Sequence, residues 1–231
     1  MARLIFHVEG VTEERFVNEV LAEHLLTHGW ERVAARRMGI SRAREQRHGI
    51  KSWAVARADI IRHLREDAGC CVTTFVDYYG LPATGAHAWP GRAAAAAIQP
   101  MAQRGRFLEG ALAAAVAEAM GGAYAARRFI PFVVMHEFEG LLFSDCERFS
   151  LGIGRPDLAG PFQTIRNGFG SPEEIDDSPE TAPSKRIAAL IADYKKPVMG
   201  IAAALEIGLD AMRRACPHFH SWLERLETWP H

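Results

Sequence analysis

The chain has 231 residues and a mass of 25.5 kDa, with 27 Lys+Arg against 28 Asp+Glu and a formal charge of −1 at pH 7. Hydrophobic residues at 48% and charged residues at 24% exclude wholesale disorder, and the length suits one domain, or one with a small appendage. The longest apolar runs, Ala93–Ile98 and Phe129–Met135, fall short of the ~18 residues of a membrane helix. Charge interrupts the first residues too early for a secretory signal. Cys70, Cys71, Cys146 and Cys216 lack CxxC spacing, which argues against a zinc ribbon or a disulfide scaffold. A soluble cytoplasmic protein is expected.

Leu4–Val8 has the length and residue types of a buried strand. After Glu9-Gly10-Val11, Thr12 is the expected N-cap of a helix with Glu13 and Glu14 in its first turn. Phe16, Val17, Val20, Leu21 and Leu25 keep helical spacing, and Gly29 is a natural stop. Glu31–Arg65 then carries ten Lys/Arg against three acids, either a solvated face or an arc able to attract phosphate backbones. Within it a helix is predicted over Ser52–Asp67, with Trp53, Ala56, Ile60, Ile61 and Leu64 on one side.

Cys70–Val76 reads as a second buried strand, ending at Asp77. Tyr78–Gly91 should be loop. Ala93–Gln99 and Phe107–Met120 look helical, and Phe129–Met135 is a third strand constrained by Pro131. Ser150–Pro183 is rich in Gly and Pro and predicted to be loop, with five acids and no base in Ser171–Glu180. Ser184–Leu226 reads as two or three amphipathic helices. Strands alternating with helices predict an α/β fold, a mostly parallel sheet flanked by helices. Residues 1–149 form the expected core, and 150–231 a helical extension packing on it as one globular unit.

Ligands of open α/β sheets bind beyond the carboxyl ends of the strands. Each of the three predicted strands ends in acid: Glu9, Asp77, and Glu137 with Glu139. Acids converging at one edge would repel without a cation, and carboxylates suit Mg²⁺ or Mn²⁺. The expectation is therefore a hard-metal phosphoryl-transfer centre. Plainer roles exist for each residue. Glu13 and Glu14 can favour a helix N-terminus, Asp77 can open a turn, Glu139 can sit on a helix surface, and His136 can be a structural histidine. A buried Arg or Lys bridging Glu9 and Asp77 in the ion's place, or the two acids on opposite sides of the molecule, would overturn the nuclease expectation.

Val8-Glu9-Gly10-Val11-Thr12-Glu13 after a short strand resembles the first signature of Toprim domains, particularly those of OLD-type nucleases. The second Toprim signature is Asp-x-Asp, and in Val76-Asp77-Tyr78-Tyr79 the second acid is replaced by Tyr79. The missing ligand then moves to Glu137, Glu139 or Asp145, or is lacking. Val76–Pro82, His136–Asp145, Pro183–Ile187 and Cys216–Phe219 together resemble a bacterial Toprim-like family, domain of unknown function 4276, over Leu4–Leu226. The resemblance implies a Toprim-like, Rossmann-like fold and a Mg²⁺- or Mn²⁺-dependent endonuclease cutting DNA or RNA. It also implies a separate ATPase subunit of the OLD/ABC type and a setting in phage defence.

Carried over by position, Glu9 is a metal ligand or general acid/base and Asp77 a metal ligand, while Glu13 can hold a further metal. Catalytic and ligand roles for Glu137 and Glu139 follow from their place at the strand end. Lys185 and Arg186, behind Pro183-Ser184, are candidates to hold the scissile phosphate, with His136 and Tyr79 as accessory residues. The alternative is a non-catalytic Toprim-like subunit that binds an ATPase or nucleic acid and regulates it. A third option is a nuclease directed at a structured RNA such as tRNA. Cys70-Cys71 belong to the core, and Cys216 with His218 and His220 to packing rather than zinc. A Gly-x-Ser-x-Gly elbow and a Walker lysine loop are both missing from the sequence, so any ATP hydrolysis belongs to another chain.

Overall fold

The computed structural model describes residues 2–39, 52–99, 101–175 and 181–229. Arg42, Arg44, Glu45, Arg47 and Lys51 of the basic run, and Asp176, Asp177 and Glu180 of the acidic one, lie outside the described residues.

β1 (Arg3–Val8) leads into α1 (Val11–Phe16), a π-helical turn (Val17–Leu21) and α2 (Ala22–Thr27). β2 (Arg32–Arg37), α3 (Trp53–Glu66), β3 (Cys70–Asp77), α4 (Arg92–Ala95) and α5 (Met101–Met120) follow. After β4 (Phe129–Ile130) and β5 (Val133–Val134) the chain is helical: α6 (Cys146–Gly152), α7 (Ala159–Arg166), α8 (Pro183–Leu190), α9 (Lys196–Ile207), α10 (Leu209–Ala215) and α11 (Pro217–Thr228). The fold is α/β, a parallel sheet flanked by helices.

The strand order is β2-β1-β3-β4, with β5 also pairing β3, and each pairing is parallel. Parallel neighbours require crossovers, which the helices supply on both faces. Leu4, Phe6 and Val8 point into the larger core with Phe16, Leu25, Phe132, Ile201 and Trp222. Val72 and Val76 point into a second core with Trp53, Ile60, Leu108 and Leu112. β3 is buried at every position, Thr73, Thr74 and Asp77 included. Among the described residues no helix is long and apolar enough to cross a membrane.

Several expectations change. β2 sits inside the basic run, where no strand was expected; as the edge strand it leaves Arg32, Arg36 and Arg37 exposed and so hides the usual alternation. The single strand expected over Phe129–Met135 is two short ones, because Pro131 cannot donate to the ladder. Thr74 repairs the break: its hydroxyl accepts from Phe132 N–H at 3.0 Å and donates to Phe132 O at 2.9 Å. The N-cap of α1 is Gly10 rather than Thr12, which is buried within the helix. The expected loop over Ser150–Pro183 contains the end of α6, all of α7 and two 3₁₀ turns. Ser184–Leu226 is divided into four helices, with Pro197 and Pro217 in first turns and Gly208 at φ 79° between α9 and α10.

Candidate functional site

Val8 pairs with Phe75 across adjacent parallel strands, so the chain leaves β1 at Glu9 as β3 approaches its end at Asp77. β2 lies on the other side of β1, so the strand order reverses between β1 and β3, the crevice where such sheets bind ligands. β5 runs beside Val76 and Asp77 and delivers the following residues to the same edge. There His136 adopts φ 66°, a left-handed conformation uncommon outside glycine, and turns the chain sharply. Phe138 N–H then donates to Asp77 Oδ1 at 3.0 Å, and a 3₁₀ helix over Phe138–Ser144 carries Glu139 into the interior.

Glu139 is fully buried. Lys196 Nζ, from the first residue of α9, stands 2.9 Å from Glu139 Oε2 and 3.6 Å from Asp77 Oδ2. Glu139 Oε1 has no hydrogen-bond partner among the described residues, and neither does the buried Tyr194 hydroxyl nearby. Glu13 is also buried and curls back so that its Oε2 accepts from Gly10 N–H at 2.9 Å. A Cβ at position 10 would stand 3.1 Å from that oxygen, tight enough that glycine eases the approach.

The electrostatics record crowding. Burial pushes Glu9 up to about 7, helped by the charges of Glu13, Glu137 and Glu139 and opposed by Lys196. Burial also holds Asp77 well above the usual carboxylate range: Lys196 opposes the shift, and Glu13, Glu9 and Glu139 add to it. Glu139 is raised by burial too, with Lys196 again opposing. For Lys196 itself burial disfavours the charge, yet Asp77, Glu139 and Glu13 outweigh it and hold the ammonium well above its ordinary pKa. One ammonium therefore sits among five interacting carboxylates: Glu9, Glu13, Asp77, Glu137 and Glu139.

The sequence profile of the family described as Domain of unknown function (DUF4276) matches residues 8–227, nearly the whole chain. The chain belongs to this family. No curated protein and no solved structure matches it.

The matched stretch of this DUF4276 chain contains all five acids and Lys196. Glu137 reaches the same edge but is engaged: its Oε2 accepts from Ser184 N–H at 2.8 Å and its Oε1 from Ser184 Oγ at 3.0 Å, capping α8. Asp145, an alternative for the missing Toprim acid, instead caps α6 through Arg148 N–H at 3.0 Å. Tyr79 is exposed, while its N–H donates to His136 O. The His136 ring is buried against Met101, with Nε2 2.6 Å from Sδ. Lys185 is exposed; Arg186 lies over the Phe169 ring and donates to Thr181 O at 2.8 Å.

Lys196 is the residue that motif reading missed. One signal was available: Lys195-Lys196-Pro197 places two cations where a helix N-terminus disfavours them. Such local inconsistency is expected at functional sites. The described part of the basic run lines a cavity of about 600 Å³ with Arg36, Arg37, Arg62 and His63. Arg37 pairs with Glu14 at 3.1 Å and Arg62 with Asp59 at 3.2 Å, so much of that charge is internally compensated.

Proposed function

We propose that this DUF4276 protein is a divalent-cation-dependent phosphodiesterase acting on nucleic acid, with a Toprim-like set of acids at the reversal of strand order. The observation that carries the reading is the buried Glu139, one oxygen unpartnered, among carboxylates that outnumber their single ammonium. Crowded hard oxygen donors of this kind suit Mg²⁺ or Mn²⁺, with Glu9, Asp77 and Glu139 as the holders. Bound there, the cation would supply Lewis acidity and a water of lowered pKa.

The chain's own groups divide the remaining work. Glu9, with a pKa of about 7, can accept and return a proton near neutrality. Asp77 is held in position by Phe138 N–H, and Glu13 adds negative charge beside it. Lys196 can shift its ammonium from the acids toward an incoming phosphate and offset charge on the leaving oxygen. The Toprim likeness of Val8–Glu13 supports this assignment, and it suggests a separate ATPase as partner and phage defence as the setting.

The test is nicking of DNA and RNA in Mn²⁺, by the protein alone and with its ATPase partner. Glu9→Gln and Asp77→Asn should each lower the rate at least ~10²-fold, the scale of losing one preorganised electrostatic group, at unchanged far-UV circular dichroism. If both variants cut like wild type, the reading falls.

Lys196 favours a second reading. Its ammonium lies between Asp77 and Glu139 and can stand in for a cation, leaving a non-catalytic module that regulates an ATPase or binds nucleic acid. Mn²⁺ titration separates the two. Binding that Asp77→Asn abolishes and Lys196→Met strengthens supports the phosphodiesterase; no Asp77-dependent binding supports the regulatory module.

A further inference from the structure

On the far side of α1, the π-helical turn leads into α2, whose end presents His24 and, at its C-cap, His28. Residues four apart on a helix share a face, and the two imidazoles lie with ring centroids 4.3 Å apart, their planes tilted by 40°. Glu227, near the end of α11, meets them from across the molecule, its Oε1 2.6 Å from His24 Nε2. One ligand atom from each of His24, His28 and Glu227 lies within 4.8 Å of the other two. Among the described residues no other His, Cys, Asp or Glu group closes this tightly, the acid cluster included.

The surroundings orient His28 and Glu227 for ligation, while His24 Nε2 gives its proton to Glu227 Oε1 until a cation replaces it. His28 Nδ1 lies 2.8 Å from His24 O. A carbonyl only accepts, so Nδ1 carries the proton and Nε2 keeps its lone pair, the arrangement common to metal-bound histidines. Arg213 grips Glu227 through its two terminal guanidinium nitrogens, Nη1 to Oε1 at 2.6 Å and Nη2 to Oε2 at 3.0 Å, and orients the carboxylate. His24 also borders a cavity of about 600 Å³ walled by Arg148, Asp210 and Arg214.

We infer that His24, His28 and Glu227 form a second metal site, separate from the acid cluster, for a late first-row divalent cation such as Zn²⁺. Two imidazoles and one carboxylate are borderline-soft donors that select Zn²⁺, Co²⁺ or Ni²⁺ over Mg²⁺. Three protein ligands leave a tetrahedral position for water or a small anion. The cation takes the place of the proton on His24 Nε2, so Glu227 exchanges a hydrogen bond for a metal bond while Arg213 keeps its second oxygen. The bound ion staples α2 to α11, elements about 200 residues apart in sequence.

The experiment is titration of untagged, chelator-stripped protein with Co²⁺, followed by visible d–d absorption, with a thermal melt in Zn²⁺ alongside. Wild type should bind one equivalent with the intense bands of tetrahedral Co²⁺ and melt higher in Zn²⁺. His28→Gln and Glu227→Gln should each weaken binding by more than about tenfold, a loss that removal of outer-shell partners alone can cause. Asp77→Asn should keep the wild-type tetrahedral bands, whatever it does to ions at the acid cluster, so that loss of the acid cluster does not imitate loss of this site. Absence of tetrahedral bands in wild type, or bands undiminished in both variants, overturns the inference. If a variant melts far below wild type without metal, the wild-type spectrum and Zn²⁺-dependent melt decide the matter.

Discussion

The clusters around His218 and around Lys196 both bury acid with base, and they are finished differently. Around His218, Glu173 accepts from His218 N–H and Phe219 N–H, both at 2.9 Å, with one oxygen for each. Glu109 Oε1 accepts from Val133 N–H at 3.0 Å and faces His218 Nε2 at 2.8 Å. Burial opposes the His218 charge, but its bond to Glu109 and the charges of Glu109 and Glu173 raise its pKa. Around Lys196 the acids outnumber the base, and Glu139 Oε1 is left without a partner. Backbone donors hold both Glu173 oxygens and Glu109 Oε1, as expected of a structural network, and His218 Nε2 has its ion pair with Glu109; the second cluster leaves Glu139 Oε1 unpartnered.

The largest effects should fall on the completed cluster. His218→Ala removes the partner of a buried carboxylate and should cost about 3–5 kcal/mol, read as a lower denaturant midpoint at unchanged m. Glu173→Ala leaves two amides at the start of α11 unsatisfied and should cost about 2–4 kcal/mol. Neither residue has a hydrogen bond or ion pair with the Lys196 acids, so the proposed cleavage per folded molecule should persist in His218→Ala. If His218→Ala instead abolishes cleavage at full stability, the contrast between the clusters is wrong.

The incomplete cluster should announce itself through pH. A carboxyl whose folded pKa is raised binds its proton more tightly folded than unfolded. Glu9 stands at about 7 against an ordinary 4.5, so its penalty is absent below pH 4.5, grows through the interval and is complete above 7. Stability should fall over that window by on the order of 1–3 kcal/mol, and Glu9→Gln should flatten the slope. Mn²⁺ should restore stability chiefly at the upper end, where the acids are ionised. A slope unchanged in Glu9→Gln would remove Glu9 from the crowded set.

How much of this could be read from the chain depended on where each signal sits. Leu4–Val8 and Cys70–Val76 were legible because central parallel strands are continuous apolar runs, and the acids after them were legible because strand ends are fixed points. β2 was hidden because an edge strand need not alternate. The helices within 150–183 were hidden because Gly and Pro mark turns without revealing the short helices between them. The meetings of Lys196 with Asp77 and Glu139, and of His24 with Glu227, were not legible because the partners come from remote elements, and no spacing along the chain encodes such meetings. Glu137 was legible as a strand-end acid but not as a cap, since Ser184 lies 47 residues away.

The smallest expected effect is at Glu137, and it divides the strand-end acids most finely. Glu137 and Glu139 share one sequence block and look equivalent there, yet Glu137 has both oxygens on Ser184 while Glu139 faces Lys196. Glu137→Gln keeps an acceptor for one Ser184 donor, so it should cost about 1 kcal/mol, the usual scale of a helix cap, and leave cleavage within a few-fold of wild type. Glu139→Gln should change stability little or raise it, because a neutral amide relieves repulsion, but should remove Mn²⁺ binding. Paired melts and titrations on the two variants check this. Were Glu137→Gln the one to lose Mn²⁺, the cation would have to lie nearer α8 than α9, and Ser184 would become a ligand's partner rather than the capped residue.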